Sequence, residues 1–214
     1  MRVYLIRHGS TAGNLEKRYV GTTDELLMPE AVCELEKMRE NSRQYRENSE
    51  NGSLMVFVSP LRRCLMTAQL LFPNIEPSVE DDLRECSFGE FEYKNYKELS
   101  GDARYQEWID SGGEIPFPGG ESRGQFAKRC CKAFVKACGI AERSGCEEAA
   151  FVVHGGTIMA VMEQFAMPHK GYFEWQVKNA EGFFGELCRT TDEAGRERLE
   201  IQNVRKIIET KNQR

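Results

Sequence analysis

Three short apolar runs constrain the fold of this chain more than any other feature of its sequence. The runs are Val3–Ile6, Leu54–Val58 and Ala149–Val153, and each has the length of a buried strand. Helical patterns of apolar residues lie between them. Because parallel strands need a crossover, strands that alternate with helices indicate a mainly parallel sheet that is covered on both faces. The sequence therefore predicts an α/β fold, built as a three-layer α/β/α sandwich.

The C-terminal part of the chain has a different pattern. The segments Gly182–Arg189 and Arg198–Arg205 flank turn residues at Asp192–Gly195, which indicates an antiparallel hairpin. We therefore expect a mainly parallel mixed sheet with one antiparallel edge. One domain is the default at a length of 214 residues, so we expect a single domain over residues 1–214.

Two segments carry signals for the start of a helix. Ser59-Pro60 predicts a capped helix start after the second apolar run, and Ser122 with Gln125 matches the capping box of a long helix. In both cases the serine hydroxyl is expected to accept a hydrogen bond from a backbone N–H group in the first turn.

The charge and the apolar content exclude several classes of function. The net charge is −5 and no long run of Lys or Arg occurs, which argues against a general nucleic-acid binder. No window approaches the ~18 consecutive apolar residues of a membrane span, and the N-terminus does not match a signal peptide. We therefore expect a cytoplasmic protein without nucleic-acid or membrane partners. Its eight cysteines include no Cys-x-x-Cys pair, so we expect reduced thiols rather than disulfides or a zinc site.

Two of the three histidines directly follow predicted strands. His8 follows the first apolar run and precedes one glycine, and His154 follows the third run and precedes two glycines. The carboxyl ends of parallel strands meet at one edge of the sheet, where ligands bind in such folds. A matched pair at that edge favours function over two ordinary loop histidines. The third, His169, is expected to be an ordinary loop residue.

A pair of arginines indicates an anionic ligand. Arg62 and Arg63 are expected in the first turn of a helix, where each cation opposes the helix dipole by ~0.3–1 kcal/mol. A bound anion would offset that cost, and an exposed arginine pair is the alternative. Arg63 is turned about 200° from Leu61 and can point toward the sheet edge. Together with Arg7 and a protonated His154, it would supply three positive groups to a phosphate monoester, without a metal.

A proton donor would complete such a site. Glu85 lies beside sulfur, aromatic and glycine neighbours, and a partly desolvated glutamate has a raised pKa that lets it protonate a leaving oxygen. Four other carboxylates lie in the same stretch and are alternatives for this role: Asp81, Asp82, Glu90 and Glu92.

These residues together resemble the motif blocks of the histidine phosphatase superfamily, whose fold is phosphoglycerate mutase-like. The resemblance extends from residue 3 to about residue 165. Its blocks are Leu5–Thr11, Asn14 with Gly21–Asp24, Ser59–Cys64 with Thr67-Ala68, Leu83–Glu85 with Phe88-Gly89, and Val153–Gly156. The second arginine block selects Arg63 over Arg62. Ordered blocks of this kind are far more specific than an isolated Arg-His-Gly.

The resemblance implies a mechanism. Neutral His8 would attack phosphorus and become phosphohistidine, while Arg7, Arg63 and a cationic His154 would hold the phosphoryl oxygens. Glu85 would protonate the leaving alcohol and then act as a base toward water.

The resemblance also assigns secondary roles. Asn14 and Gly155 are expected to contact the phosphoryl group, and Thr22 and Thr23 to contact the substrate. Residues 86–120 are expected to form a segment that covers the substrate.

The short chain favours hydrolysis within this family. The mutases that it resembles carry extra sequence after the acid loop, whereas Glu92–Gly120 has only 29 residues. We expect a histidine acid-type phosphatase, a metal-independent phosphomonoester hydrolase without a cofactor. The alternatives are a cofactor-dependent phosphoglycerate mutase and a non-catalytic phospholigand-binding module.

The substrate is the least constrained part of the prediction. Aromatic residues between Phe88 and Phe117 belong either to the core or to a pocket that suits a ring-bearing leaving group. The segments Arg18–Asp24 and Pro118–Ser122 look most like those of α-ribazole phosphatases, so α-ribazole 5′-phosphate is a candidate. The expected partners are a small phosphate monoester and a second copy of the chain in a homodimer.

Overall fold

The structure, a computed structural model, describes residues 1–41, 53–191 and 195–207. Its strands are β1 Arg2–Arg7, β2 Leu54–Val58, β3 Ser78–Val79, β4 Glu148–Val153, β5 Gly182–Thr191 and β6 Glu197–Ile207. They form one sheet in the order β3-β2-β4-β1-β5-β6, in which the first four are parallel neighbours and β5 and β6 pair antiparallel. The predicted mixed sheet with an antiparallel edge is confirmed. Residues 192–194 of the predicted turn lie outside the described residues.

Helices connect and cover these strands. They are α1 Ala12–Leu15, α2 Pro29–Asn41, α3 Arg62–Leu71, α4 Ala103–Asp110, α5 Arg123–Arg143 and α6 Gly155–Phe165, with short 3₁₀ turns at Asp81–Leu83, Gly89–Phe91 and Tyr172–Trp175. The capping box at Ser122 and Gln125 is present at the start of α5. The N-cap of α3 is Leu61, which makes no side-chain cap, and not Ser59; the Ser59 hydroxyl accepts a hydrogen bond from the Leu61 backbone N–H at 3.5 Å.

The sheet is buried on both faces because side chains alternate along its central strands. In β1, Val3 and Leu5 pack into the cluster that holds α5 and α6, whereas Tyr4 and Ile6 pack into the cluster that holds α2 and α3. This alternation accounts for the continuous apolar runs of the sequence, and it gives the predicted three layers.

Residues 86–120 pack beside the carboxyl edge of the sheet rather than in its layers. Buried residues of this segment, among them Phe91, Tyr105 and Phe117, form a third apolar cluster with Phe126 of α5 and Ala160 of α6. The segment is thereby held against the helices that follow the site loops. That it covers a substrate stays a prediction.

Two further predictions concern the chain as a whole. No helix within the described residues is both long and apolar enough to cross a membrane. All eight cysteines are free thiols, and four of them are buried. The expectation of reduced thiols that pack in the protein is therefore consistent with the structure.

Candidate active site

Three polar residues follow three adjacent parallel strands at the carboxyl edge of the sheet. Ser59 follows β2, His154 follows β4, and His8 follows β1. The backbone N–H of His8 donates to the carbonyl of Val153 at 3.0 Å, which aligns the ends of β1 and β4. The two imidazole rings lie 5.2 Å apart between centroids. The structure therefore brings together the histidine pair that the sequence placed at this edge.

His8 is arranged as a nucleophile. Its Nδ1 lies 2.7 Å from the carbonyl oxygen of Gly9, and because that oxygen can only accept, Nδ1 carries the proton. The lone pair of the neutral ring is then on Nε2. Burial, together with the nearby charges of Arg63 and Arg7, lowers the pKa of His8 well below its ordinary value. The ring is therefore neutral near pH 7, as in-line attack requires.

His154 differs from the sequence-based expectation in its charge. The ring is fully buried, and its Nε2 lies 2.7 Å from the hydroxyl of Ser59. Burial first, and then the charges of Arg63 and His8, lower the pKa of His154 well below its ordinary value. These effects favour the neutral form of the ring, whereas the role that the resemblance implies is that of a cation.

The structure distinguishes sharply between Arg62 and Arg63, although both open α3. Arg62 is exposed, whereas Arg63 is fully buried. The guanidinium of Arg63 donates to the backbone carbonyls of the loop before α2, at 2.7 Å to Thr23, 2.9 Å to Gly21 and 3.3 Å to Val20. These contacts point Arg63 to the sheet edge.

Both arginines of the candidate site retain an unused donor. Arg7 donates through one terminal nitrogen to the carbonyl of Val177 at 2.8 Å. The Nε–H groups of Arg7 and Arg63 are buried and have no hydrogen-bond partner within the described residues. Buried donors without a partner are costly, so these two groups mark a position where an acceptor-rich ligand would be stabilised.

Glu85 lies at the start of α6, the helix that His154 caps. Its carboxylate accepts hydrogen bonds from the backbone N–H groups of Cys86 at 2.9 Å and Gly156 at 3.3 Å. Burial nevertheless raises the pKa of Glu85, against the effect of these donors and of Arg63. A Cβ on Gly156 would lie 2.5 Å from a carboxylate oxygen of Glu85, so only glycine permits this approach.

The other carboxylates of the acid loop are directed elsewhere. Asp81 and Asp82 are exposed, and Glu90 is exposed and pairs with Arg104 at 2.7 Å. Glu92 accepts hydrogen bonds from the loop at residues 21–23. Glu85 is thus the member of this group that lies beside Arg7 and Arg63.

The four residues that were expected to assist in binding phosphate or substrate, Asn14, Gly155, Thr22 and Thr23, fall into two groups. Asn14 and Gly155 line the cavity described below. Thr22 is exposed, and Thr23 donates its hydroxyl to Glu92 at 2.8 Å. Neither threonine lines the cavity, and the same is true of His8, Arg63 and His154. Thr23 supports Arg63 through its backbone carbonyl. That the threonines contact the substrate stays a prediction.

Two residues of the site were missed by reasoning from the sequence. Glu92 was considered only as an alternative acid, and it instead holds the loop that binds Arg63. Asn179 bonds to the His8 loop and to Asn14. The one available signal for Asn179 was its place three residues before the start of β5, at the same edge of the sheet as the histidines.

A cavity of about 810 Å³ opens in front of Arg7 and Glu85. Of the predicted site residues, Arg7, Asn14, Glu85 and Gly155 line it, and its wall is rich in aromatic side chains: Tyr19, Phe88, Trp108, Phe117, Phe126, Tyr172 and Phe173. Basic side chains also line it: Lys17, Arg18, Arg123, Lys178 and Lys206. The cavity is much larger than a phosphate group, and it offers apolar surface to the rest of a ligand.

The aromatic residues between 88 and 117 serve both the core and the cavity. Phe91 and Tyr105 are buried in the third apolar cluster. Trp108 stacks between Tyr105 and Phe117, at centroid distances of 6.0 and 4.6 Å, and shows the cavity part of its surface. Some of these aromatic residues therefore belong to the core and others line the cavity, so both alternatives from the sequence apply, each to different residues.

No group of three or more metal-ligating side chains occurs among residues 1–41, 53–191 and 195–207. The guanidinium groups of Arg7 and Arg63 lie close enough to the histidines to lower the pKa of both rings, and they are candidates to bind an anionic ligand here.

Comparison with known proteins identifies the same family as the motif blocks of the sequence. The family model of the histidine phosphatase superfamily (branch 1) matches residues 3–183. The chain is 27% identical over 168 residues to phosphoglycerate mutase-like protein 4 of Arabidopsis thaliana, covering 76% of this chain and 70% of that protein. It is 26% identical over 169 residues to a broad-specificity phosphatase of Saccharomyces cerevisiae, covering 76% of this chain and 69% of that protein.

Solved structures show the same fold. The α-ribazole phosphatase of Shigella flexneri superposes with a TM-score of 0.71 at 20% identity, covering 95% of this chain and 96% of that one. The family model matches most of the chain, and the sheet order and the histidines at the strand ends are consistent with that match. The chain therefore belongs to the histidine phosphatase superfamily, branch 1, with its phosphoglycerate mutase-like fold.

Proposed function

We propose that this protein hydrolyses phosphate monoesters of small metabolites through a phosphohistidine at His8. The observation that carries the proposal is the arrangement around His8. Its Nε2 lone pair is free, and the buried Nε–H groups of Arg7 and Arg63 lack acceptors within the described residues. The carboxyl group of Glu85 lies beside them with a raised pKa.

The first step transfers the phosphoryl group to the enzyme. Nε2 of His8 forms a bond to phosphorus while the bond from phosphorus to the leaving oxygen breaks, and Glu85 gives its proton to that oxygen. Arg7 and Arg63 neutralise the charge on the equatorial oxygens.

The second step releases phosphate. Glu85, now a carboxylate, takes a proton from water while the water oxygen attacks phosphorus, and the bond between phosphorus and Nε2 of His8 breaks. Two guanidinium groups match the ~1.5–2 negative charges of a phosphate monoester. The proposed reaction therefore requires no metal ion.

The cavity supports a leaving group that carries a ring. Phe88, Phe117 and Tyr172 give its wall apolar and aromatic surface. The Shigella flexneri protein of the same fold is an α-ribazole phosphatase, and α-ribazole 5′-phosphate is accordingly the first metabolite to test.

The decisive experiment is a rapid-quench assay with an aryl phosphate. We expect an acid-labile phosphoprotein in the wild type and none in His8→Ala, with hydrolysis lost and with no effect of a chelator on the wild type. His169→Ala is the matched control, since His169 is exposed and lies outside the site. Full hydrolysis by His8→Ala would overturn the proposal.

A phosphoglycerate mutase is the second candidate, because the Arabidopsis thaliana relative is mutase-like in name. Incubation with 3-phosphoglycerate and a bisphosphoglycerate primer separates the two reactions. We expect free phosphate to form faster than 2-phosphoglycerate, and the reverse order would favour the mutase.

A phosphate-release screen over metabolites tests the substrate class. We expect ring-bearing monoesters, including α-ribazole 5′-phosphate, to exceed small phosphorylated acids in kcat/KM. A single substrate about 100-fold above the others, a difference of about 2.7 kcal/mol in transition-state binding, would identify the substrate.

A further inference from the structure

Asn179 joins two parts of the site that come from opposite ends of the chain. It lies just before β5, and its Nδ2 lies 3.1 Å from the carbonyl oxygen of His8, 3.3 Å from that of Gly9 and 2.9 Å from Oδ1 of Asn14. The backbone N–H of the next residue, Ala180, also donates to the carbonyl of His8 at 3.2 Å. The loop that carries the proposed nucleophile is therefore held from the C-terminal side of the fold.

The three acceptors fix the orientation of the Asn179 amide. All three are oxygen atoms, and an amide oxygen in the place of Nδ2 would face them without a proton to share. The amide of Asn14 is fixed in turn, because its Oδ1 accepts from Asn179 and also from the backbone N–H of Thr11 at 3.2 Å. Nδ2 is then the end of Asn14 that is left for the cavity, whose wall includes both asparagines.

A fixed NH₂ group selects the kind of ligand atom that can lie in front of it. A phosphoryl oxygen only accepts hydrogen bonds, so it is stabilised by the NH₂ end of Asn14 and opposed by the oxygen end. Without Asn179, the backbone N–H of Thr11 alone would hold the Asn14 oxygen.

We infer that Asn179 is a positioning residue that keeps the NH₂ group of Asn14 directed at the phosphoryl group, an inference that rests on the proposed function. It acts through Asn14 and through the His8 carbonyl, and it takes no proton or bond in the reaction. Two asparagines about 165 residues apart in the chain would thus form one donor unit.

A double-mutant cycle on phosphate affinity tests this inference. The variants are Asn179→Ala, Asn14→Ala and both together, with inorganic phosphate titrated by calorimetry. We expect each single change to raise the Kd of phosphate by about tenfold, the effect of one charge-assisted hydrogen bond. We expect the double variant to bind no more weakly than Asn14→Ala alone, because the two residues act as one unit. Gln164→Ala removes an exposed amide of α6 and serves as the control.

Several outcomes would overturn the inference. One is an unchanged phosphate Kd in Asn179→Ala, and another is a double variant whose losses simply add. Asn179→Asp is a third test, because aspartate has nearly the same size as asparagine. Its carboxylate would attract the NH₂ end of Asn14 away from the cavity. We expect weaker phosphate binding in Asn179→Asp than in Asn179→Ala, and the opposite order would contradict the inference.

The binding measurement separates this inference from the proposed function. A wild type that forms no phosphohistidine would overturn the proposed function, while the cycle on phosphate affinity would still decide the role of Asn179. If the Asn179 variants do not fold, NMR of the wild type decides. Phosphate must shift the side-chain NH₂ resonances of Asn14, and the NH₂ protons of Asn179 must exchange slowly before phosphate is added. Rapid exchange at Asn179 would overturn the inference.

Discussion

At the scale of single residues, the same burial moves two catalytic pKa values in opposite directions. Burial disfavours the charged form of each group, so it lowers the pKa of His8 and raises that of Glu85. The arginines strengthen the first effect and oppose the second. A neutral nucleophile and a protonated acid are thereby favoured at one site and at one pH.

The pH dependence of kcat/KM follows from these two directions. Activity needs neutral His8, whose pKa lies well below 6.5, so we expect activity to persist below pH 6. Activity with an alkyl phosphate also needs protonated Glu85, so it should fall as the pH rises through the raised pKa of that group. A pH–rate profile checks both limbs, and a sharp loss of activity near pH 6.5 on acidification would contradict the first.

Replacement of the acid should depend on the leaving group. We expect Glu85→Gln to lower kcat/KM by roughly 10²–10⁴-fold for an alkyl phosphate, whose leaving oxygen needs a proton. The loss should be much smaller for an aryl phosphate, whose phenolate leaves without one. Glu90→Gln is the matched control, since Glu90 is exposed and pairs with Arg104. Equal losses with both substrates would show that Glu85 has another role.

At the scale of elements, the segment at 86–120 supports the arginine of α3 through one side chain. Glu92 accepts hydrogen bonds from Gly21 N–H at 2.8 Å, from Thr23 N–H at 2.9 Å and from the Thr23 hydroxyl at 2.8 Å. The carbonyls of the same loop hold Arg63. The segment that lines the cavity is therefore linked through Glu92 and this loop to Arg63, the residue proposed to bind phosphate.

Loss of this link should weaken phosphate binding without removing a group that touches phosphate. We expect Glu92→Ala to raise the inhibition constant of inorganic phosphate by about tenfold. Glu92→Gln keeps an oxygen that can accept from the loop, so its effect should be smaller. Glu107→Ala, an exposed carboxylate of α4, is the control. An unchanged inhibition constant in Glu92→Ala would contradict the link.

At the scale of the whole molecule, apolar clusters on both faces of the sheet and a local positive site lie within an acidic chain. Phe151 of β4 is fully buried and packs against Phe57 and Phe134, at centroid distances of 5.2 and 4.9 Å. The net charge is −5, yet Arg7 and Arg63 converge at one edge of the sheet. Packing of the core holds the ends of the strands in place, and the strand ends in turn position the residues of the site.

Truncation at the centre of the core should destabilise the whole fold. We expect Phe151→Ala to lower the free energy of unfolding by about 3–5 kcal/mol, from lost burial and from the cavity left behind. Phe173→Ala is the control, since Phe173 is 60% exposed, and its effect should be within about 0.5 kcal/mol. Urea unfolding measures both, and similar midpoints for the two variants would contradict this account of the core.

The net negative charge of the whole molecule should weaken the binding of large polyanions but not that of a small phosphate ligand. We expect heparin to inhibit poorly compared with inorganic phosphate, because the acidic surface repels a polyanion while the cavity keeps its local positive sign. Inhibition assays at two salt concentrations check this prediction. Strong inhibition by heparin that is lost at high salt would contradict it.

The sequence by itself determined the layers, the antiparallel edge and the places of His8 and His154. These follow from local patterns, because a strand's apolar run fixes where the strand ends and which residue comes next. Tertiary structure alone decided the lowered pKa of His154, the contact between Ser59 and His154, and the supporting roles of Glu92 and Asn179. Each of these depends on burial, or on contacts between residues about 70 to 170 positions apart, and no local pattern encodes either.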